Sequence, residues 1–295
     1  MGESAVVWGR VRWGVGVRWG VRECGGAKGT WFGGGGGALV WQGGAGCYSW
    51  VGFWDVGVYA ACMPYMERDG EVFVLCLGNE GQTDSENRFH PDWIDEVHAL
   101  LDSVETSEGP AALVTTATGK FFTNGLDTDW LFANMGEVHG YLDRVHTVFA
   151  RILAFPLPTV AAINGHAFGA GAMLALSHDF RVMRADRGFW CLPEVHLGMP
   201  FTIGMNALIT GRLTNQVALR AMTTGHRFGA DEAIAAGIAD DKVEAAELRV
   251  AAVSRAAELT RNRTASLPHI KRSLHANTLA GLEVPTTPEN LTFSA

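Results

Sequence analysis

Residues 66–295 predict an α/β fold. Three observations carry that prediction. Short apolar runs stand where strands belong, segments with apolar residues three and four apart stand between them, and the chain beyond Pro200 reads as helical.

Order begins at Met66, and Glu71-Val-Phe-Val-Leu-Cys-Leu77 is the first strand. His90 to about Val104 predicts a helix, because Ile94, Val97, Leu100, Leu101 and Val104 share a face. Ala111 to Thr116 is a second strand. A long helix fits about 137–154, with Val138, Leu142, Val145, Val148, Phe149 and Ile152 on one side and Pro156 and Pro158 ending it. Thr159 to Ile163 reads as a buried strand and Gly169 to Ser177 as a helix of small residues. Phe180 to Met183 and Gly188 to Cys191 read as short strands. Helices follow at about 202–210, 214–223, 230–236, 245–261 and 266–279. This periodicity supports the fold class and no particular reaction.

Composition narrows the function classes. The chain has 295 residues, 47% apolar and 18% charged, with a net charge of −8. That suits one large domain or two small ones with a sizeable core. The acidic balance argues against nucleic-acid binding, which needs a basic face. Cys24, Cys47, Cys62, Cys76 and Cys191 show no C-x-x-C spacing and read as free thiols in a reducing compartment. No run of about eighteen apolar residues marks a membrane span. The N-terminus lacks the basic-then-apolar order of a secretory signal, and Phe293-Ser294-Ala295 is not an S-K-L type of address. A cytoplasmic location is the resulting expectation.

Residues 1–62 follow another composition. They hold 18 of the 37 glycines and seven of the ten tryptophans, with a five-glycine run at 33–37. Such a run has the largest backbone entropy to lose and brings no side chain to pack. Gly, Val, Trp and Arg all have G-rich codons, so the segment reads as translated upstream sequence with the true start at Met63 or Met66. A disordered tail and a small binding module are the competing readings. The expected organisation is this segment, a catalytic domain over 66–280, and a C-terminal tail over 281–295.

Three loops hold the residues capable of chemistry. Gly119-Lys-Phe-Phe-Thr-Asn-Gly-Leu-Asp127 joins a strand to a helix, with Asn124-Gly125 as a turn pair and Asp127 placed to cap the helix. Alone, it is an ordinary turn. Ile163-Asn-Gly-His-Ala-Phe-Gly-Ala-Gly171 makes a similar connection. Its small residues let a ligand approach the backbone, and free N–H groups at a helix start attract developing negative charge. It does not match G-x-G-x-x-G, so dinucleotide binding is not indicated. Leu192-Pro-Glu-Val-His-Leu-Gly198 sets Glu194 in an apolar run. Burial there raises a carboxyl pKa toward neutrality and suits it to carry protons; a surface or ion-paired glutamate is the plainer reading of this loop alone.

Together the patterns F-x-x-G-x-D, N-G-x-x-x-G-x-G and P-E-x-x-L-G, in this order, resemble the enoyl-CoA hydratase/isomerase (crotonase) family over about residues 66–280. The resemblance implies a spiral of ββα units with a helical C-terminal region, packed as a homotrimer or a hexamer. It implies an oxyanion hole from the backbone N–H groups of Asn124 and Ala170, which hold a thioester oxygen as it becomes an enolate. It also implies a fatty acyl-CoA thioester as partner. CoA arrives as part of the substrate, and neither a further cofactor nor a metal is expected.

Family hydratases generally use two glutamates. One of those places is Met173 here, which cannot transfer a proton; the other is Glu194. A single carboxylate facing an apolar wall suits proton shuttling. The resemblance is strongest to the 3,2-enoyl-CoA isomerase branch, which shifts the double bond of 3-enoyl-CoA to 2-enoyl-CoA in the β-oxidation of unsaturated chains. Hydration, decarboxylation and thioester hydrolysis are the alternatives within the family, and an acyl-CoA-binding subunit without turnover is the alternative outside catalysis. The expected substrate contacts are Arg88, Phe122, Gly125, Asp127, Gly169, Met173 and Lys271, with Lys271 and Arg272 reaching CoA phosphates. His166 reads as a packed loop residue and His196 as a strand neighbour of Glu194. Phe121, Phe122, Phe168, Trp130 and Trp190 read as core packing, with the lining of an acyl tunnel as the alternative, and Asp179 and Arg181 as structural.

Overall fold

A computed structural model describes residues 63–83 and 85–291, and within the first 62 residues only the backbone of five short strands. The chain divides into two units, Met1–Tyr59 and Ala60–Ala295. In the first, Val6–Gly9 pairs antiparallel with Trp19–Arg22, and Thr30–Gly34, Ala38–Gln42 and Tyr48–Ser49 form an antiparallel sheet. Otherwise the disordered or mistranslated reading of 1–62 concerns residues outside those described.

The second unit opens on a hairpin of β1 (Tyr65–Asp69) and β2 (Val72–Cys76). Asp69 sits opposite Val72, which leaves the two-residue turn Gly70–Glu71. Gly70 takes φ +59°, a left-handed conformation glycine adopts without strain. Seven more strands follow: β3 (Ala112–Thr116), β4 (Phe121–Thr123), β5 (Thr159–Ile163), β6 (His166–Phe168), β7 (Phe180–Arg184), β8 (Trp190–Cys191) and β9 (Asp241–Val243). In the order β9-β7-β5-β3-β2-β1 six of them form one sheet, parallel except for the hairpin, while β8-β6-β4 form a small parallel sheet. Three times a strand of the large sheet is followed by one of the small sheet and then a helix: β3-β4-α2, β5-β6-α4 and β7-β8-α5. This is the expected spiral of ββα units.

The helices are α1 (Pro91–Glu105), α2 (Thr128–Ala133), α3 (Val138–Leu153), α4 (Ala170–Ser177), α5 (Glu194–Leu197), α6 (Ile203–Arg212), α7 (Asn215–Thr224), α8 (Ala230–Ala235), α9 (Leu248–Ala257), α10 (Leu267–Leu274) and α11 (Ala276–Leu282). Helix α1 starts at Pro91, whose missing N–H is no loss at a first position, and the His90 ring accepts from the Asp92 N–H. Its face of Ile94, Val97, Leu101 and Val104 is buried, with Trp93 added. Strands β2, β3 and β5 are buried at every residue. One face of the large sheet packs Leu75, Leu113 and Ala161 into the main core; the other packs Val74, Val114, Val160 and Val182 against Leu248, Ala252 and Ala256 of α9. Burial on both faces is why these strands read as continuous apolar runs.

Several elements differ from expectation. The hairpin strand β1 and the three-residue strands β4, β6 and β9 appear where no strand was predicted. The helix expected at 245–261 spans only Leu248–Ala257, and that expected at 266–279 breaks at His275 (φ −105°, ψ 18°) into α10 and α11. Helix α11 crosses the predicted domain end at 280. The chain after it packs on α3, with Leu291 buried and the Thr286 N–H donating to Asp143 Oδ1 at 2.8 Å. No helix among the described residues is long and apolar enough to cross a membrane.

Candidate active site

Strand β8 leads through Leu192 to Pro193, which caps the single helical turn α5. Gly198 at φ +65° ends that turn, and the Glu194 carbonyl accepts from the Gly198 N–H and, at 3.0 Å, from the Met199 N–H. Glu194 is the first residue of α5 and only 8% exposed. Its Oε2 has no hydrogen-bond partner among the described residues. Its Oε1 lies against Gly169, where a Cβ would come within 3.2 Å of it. Burial pushes the Glu194 carboxyl up to about 7, opposed only by its own backbone N–H.

Glu194 faces a cavity of about 20 Å³ that it shares with Leu126, Leu142, Ala170, Met199, Pro200, Thr202 and Met205. That is room for about one water. Ala170 is the first residue of α4, where backbone N–H groups have no partner within the helix. Gly125 brings the first loop to this point: it holds φ +87°, and a Cβ on it would meet the Phe168 carbonyl oxygen at 2.6 Å and the Ala170 nitrogen at 3.0 Å. Leu126 follows directly, and its N–H makes no hydrogen bond within the described chain.

The structure corrects several expectations. The Asn124 N–H does not face the cavity; it donates to the Glu86 carbonyl at 2.9 Å, while the Asn124 amide donates to Glu86 Oε2 at 3.0 Å. Asp127 caps α2 as the sequence predicts, accepting from the Trp130 N–H at 3.1 Å. Phe122 and Met173 are fully buried in the main core. Arg88 is ion-paired with Glu86 at 2.6 Å and Asp129 at 2.7 Å. Lys271 is 5% exposed, bound to Asp179 Oδ2 at 2.6 Å and the Leu157 carbonyl at 2.7 Å, so it ties α10 to the sheet instead of meeting a phosphate. His196 lies on the exposed turn α5, not on a strand.

The packing roles expected of Trp190, His166, Asp179 and Arg181 are present, and Gly169 stands beside Glu194. Gly169, at φ +53°, joins β6 to α4 and packs against Glu194. Trp190 is a core residue whose ring N–H donates to the Ala172 carbonyl at 2.9 Å. His166 packs among Phe121, Phe168 and Phe189. Asp179 and Arg181 belong to a buried polar network: Asp179 accepts from the Thr159 N–H, and Arg181 donates to the carbonyls of Ile238 and His178.

Sequence reasoning missed Leu126 and Thr202. Leu126 sits inside the quoted motif, but spacing does not tell which N–H of a loop is already bonded. Thr202 follows the third motif and shows no chemical pattern of its own.

Comparisons with known proteins bear on the family and the fold. The family model described as enoyl-CoA hydratase/isomerase matches residues 81–292. Enoyl-CoA delta isomerase 3 of Arabidopsis thaliana is 39% identical over 184 residues, covering 59% of this chain and 74% of that protein. Enoyl-CoA delta isomerase 2, peroxisomal, of the same plant is 38% identical over 184 residues, covering 59% and 75%. A probable enoyl-CoA hydratase of Mycobacterium tuberculosis H37Rv shares the fold at a TM-score of 0.68, with 24% identity, over 74% of this chain and 91% of that one. The three loops, their meeting around Glu194 and the match over residues 81–292 place the chain in the enoyl-CoA hydratase/isomerase family.

Proposed function

We propose that the protein is an isomerase that converts 3-enoyl-CoA to 2-enoyl-CoA, with Glu194 as its acid/base. The observation that carries the reading is a buried carboxylate raised to about 7, its Oε2 without a partner among the described residues, facing an apolar cavity beside the start of α4. Ionised Glu194 takes a proton from C2, and the electrons move into the thioester carbonyl to give a dienolate. The N–H groups of Leu126 and Ala170 hold the enolate oxygen. The same carboxyl then returns the proton at C4, leaving the double bond between C2 and C3. Losing one such oxyanion donor costs on the order of 10²–10³ in rate.

Hydration is disfavoured because one carboxylate lines the cavity and Met173 fills the core behind α4. Similarity to proteins named enoyl-CoA delta isomerases supports the choice of reaction. The present cavity accepts a reacting carbon but no acyl chain, so entry requires its wall to move; Met199 and Met205 are the flexible side chains placed to do so. Assembly as a trimer or hexamer is part of the proposal, checked by mass in solution. The direct test is incubation with a 3-enoyl-CoA beside an E194Q variant. Formation of 2-enoyl-CoA by the parent alone is expected; equal formation by both, or by neither, contradicts the reading.

A further inference from the structure

We propose that Thr202 is a second hydrogen-bonding group of the site and that His146, behind it, is a positioning residue that sets the direction of its hydroxyl. The proposal deepens the isomerase reading and rests on it for what the hydroxyl does in turnover.

Thr202 is the cap of α6, and its Oγ1 accepts from the Met205 N–H at 3.0 Å. The same oxygen lies 2.7 Å from His146 Nε2. A hydroxyl offers one donor and two acceptor positions. Met205 uses one acceptor and His146 uses one of the remaining two. The third is unused among the described residues, and Thr202 lines the cavity together with Glu194.

His146 decides which kind of group that is. It is buried on α3, packed against Gly204 of α6, where a Cβ would come within 3.1 Å of its Cε1. Burial lowers its pKa, so the ring is neutral and carries one N–H. Its Nδ1 has no hydrogen-bond partner among the described residues, and Asp143 Oδ1 stands 3.9 Å from it, three residues earlier on α3. A carboxylate there favours the proton on Nδ1. Nε2 is then the acceptor, the Thr202 O–H points away from the cavity, and a lone pair of Thr202 faces inward.

That arrangement suits a base. A lone pair offers nothing to the ionised carboxylate, so Glu194 stays basic. Once Glu194 has taken the C2 proton, the same lone pair accepts from its carboxyl O–H. Both groups line the same cavity of about 20 Å³. Asp143 is the one charged group acting on His146 among the described residues, and its carboxylate also accepts from the Thr286 N–H. Cys191 of β8 is the titratable neighbour of Glu194, and burial pushes its thiol up to about 11, so it stays neutral.

The test titrates the Glu194 carboxyl by ¹³C NMR in the ligand-free full-length chain, with the signal assigned by its loss in E194Q. H146L frees the Thr202 proton to turn toward the carboxylate, so the Glu194 midpoint falls by about one pH unit. In a T202V background the same substitution leaves the midpoint where T202V alone puts it. A midpoint unmoved by H146L in a protein with the parent's near-UV spectrum, or a shift that persists in the T202V background, overturns the pairing. His146→Met replaces His146→Leu if the latter does not fold. The titration needs no substrate: a parent that fails to isomerise 3-enoyl-CoA sinks the reaction, whereas an unmoved midpoint sinks only the role of Thr202 and His146.

Discussion

Glu194 carries both the proposed chemistry and a cost in stability. Its folded pKa of about 7 lies above the ordinary value of 4.5. Between those values the folded chain holds a proton that the unfolded chain has lost, so stability falls as pH rises through this window. E194Q removes the penalty. It is expected to be more stable than the parent by on the order of 3 kcal/mol at pH 8, with the gap closing below about pH 4.5. Paired thermal or denaturant melts at both pH values check this. The same shift gives the kinetic profile: kcat/KM rises with pH through about 7 and then levels, because the base must be ionised. The turnover of E194Q falls by on the order of 10²–10⁴.

At the scale of elements, the site depends on close backbone approach. Gly125→Ala places a Cβ against the Phe168 carbonyl at a φ of +87°, which strains the loop that aims Leu126. A loss of about 1–3 kcal/mol in stability is expected, together with loss of turnover. Lys271 gives the opposite pattern. Lys271→Met leaves Asp179 without its cation and is expected to cost about 3–5 kcal/mol, read as a lower melting temperature. KM for acyl-CoA stays at the parent value, since Lys271 bonds Asp179 and Leu157 rather than substrate; a rise in KM without a change in melting contradicts the assignment.

What the sequence made legible at this scale follows from length and burial. Helices α1 and α3 have fifteen and sixteen residues, long enough for their apolar faces to repeat. Strands β4 and β6 have three residues each and cannot show alternation, so in sequence they look like parts of loops. Glu194 was legible because a carboxylate in an apolar run conflicts with its surroundings. The Asn124 donor was misassigned because the carbonyl that takes its N–H belongs to Glu86, thirty-eight residues earlier. Lys271 was misread because a lysine on a helix shows its charge in sequence but not its burial.

For the whole molecule, the loops that make the site, and every residue lining the cavity, lie in the unit Ala60–Ala295. A chain begun at Met63 keeps the β1–β2 hairpin and is expected to fold and to isomerise at the parent rate; circular dichroism and turnover of that fragment check this. A start at Met66 removes Tyr65, which pairs with Cys76 in the hairpin, and is expected to be less stable. The large sheet, buried on both faces, holds β3 and β5, and these strands lead directly into the first two site loops.

The most direct measurement follows a label through one turnover. A 3-enoyl-CoA deuterated at C2 is converted in ordinary water, and the product is read by NMR and mass spectrometry. One buried carboxyl that takes the C2 proton and returns it at C4 predicts that part of the deuterium appears at C4. Product formed with all the abstracted label lost to water and none at C4 would contradict a single shielded base.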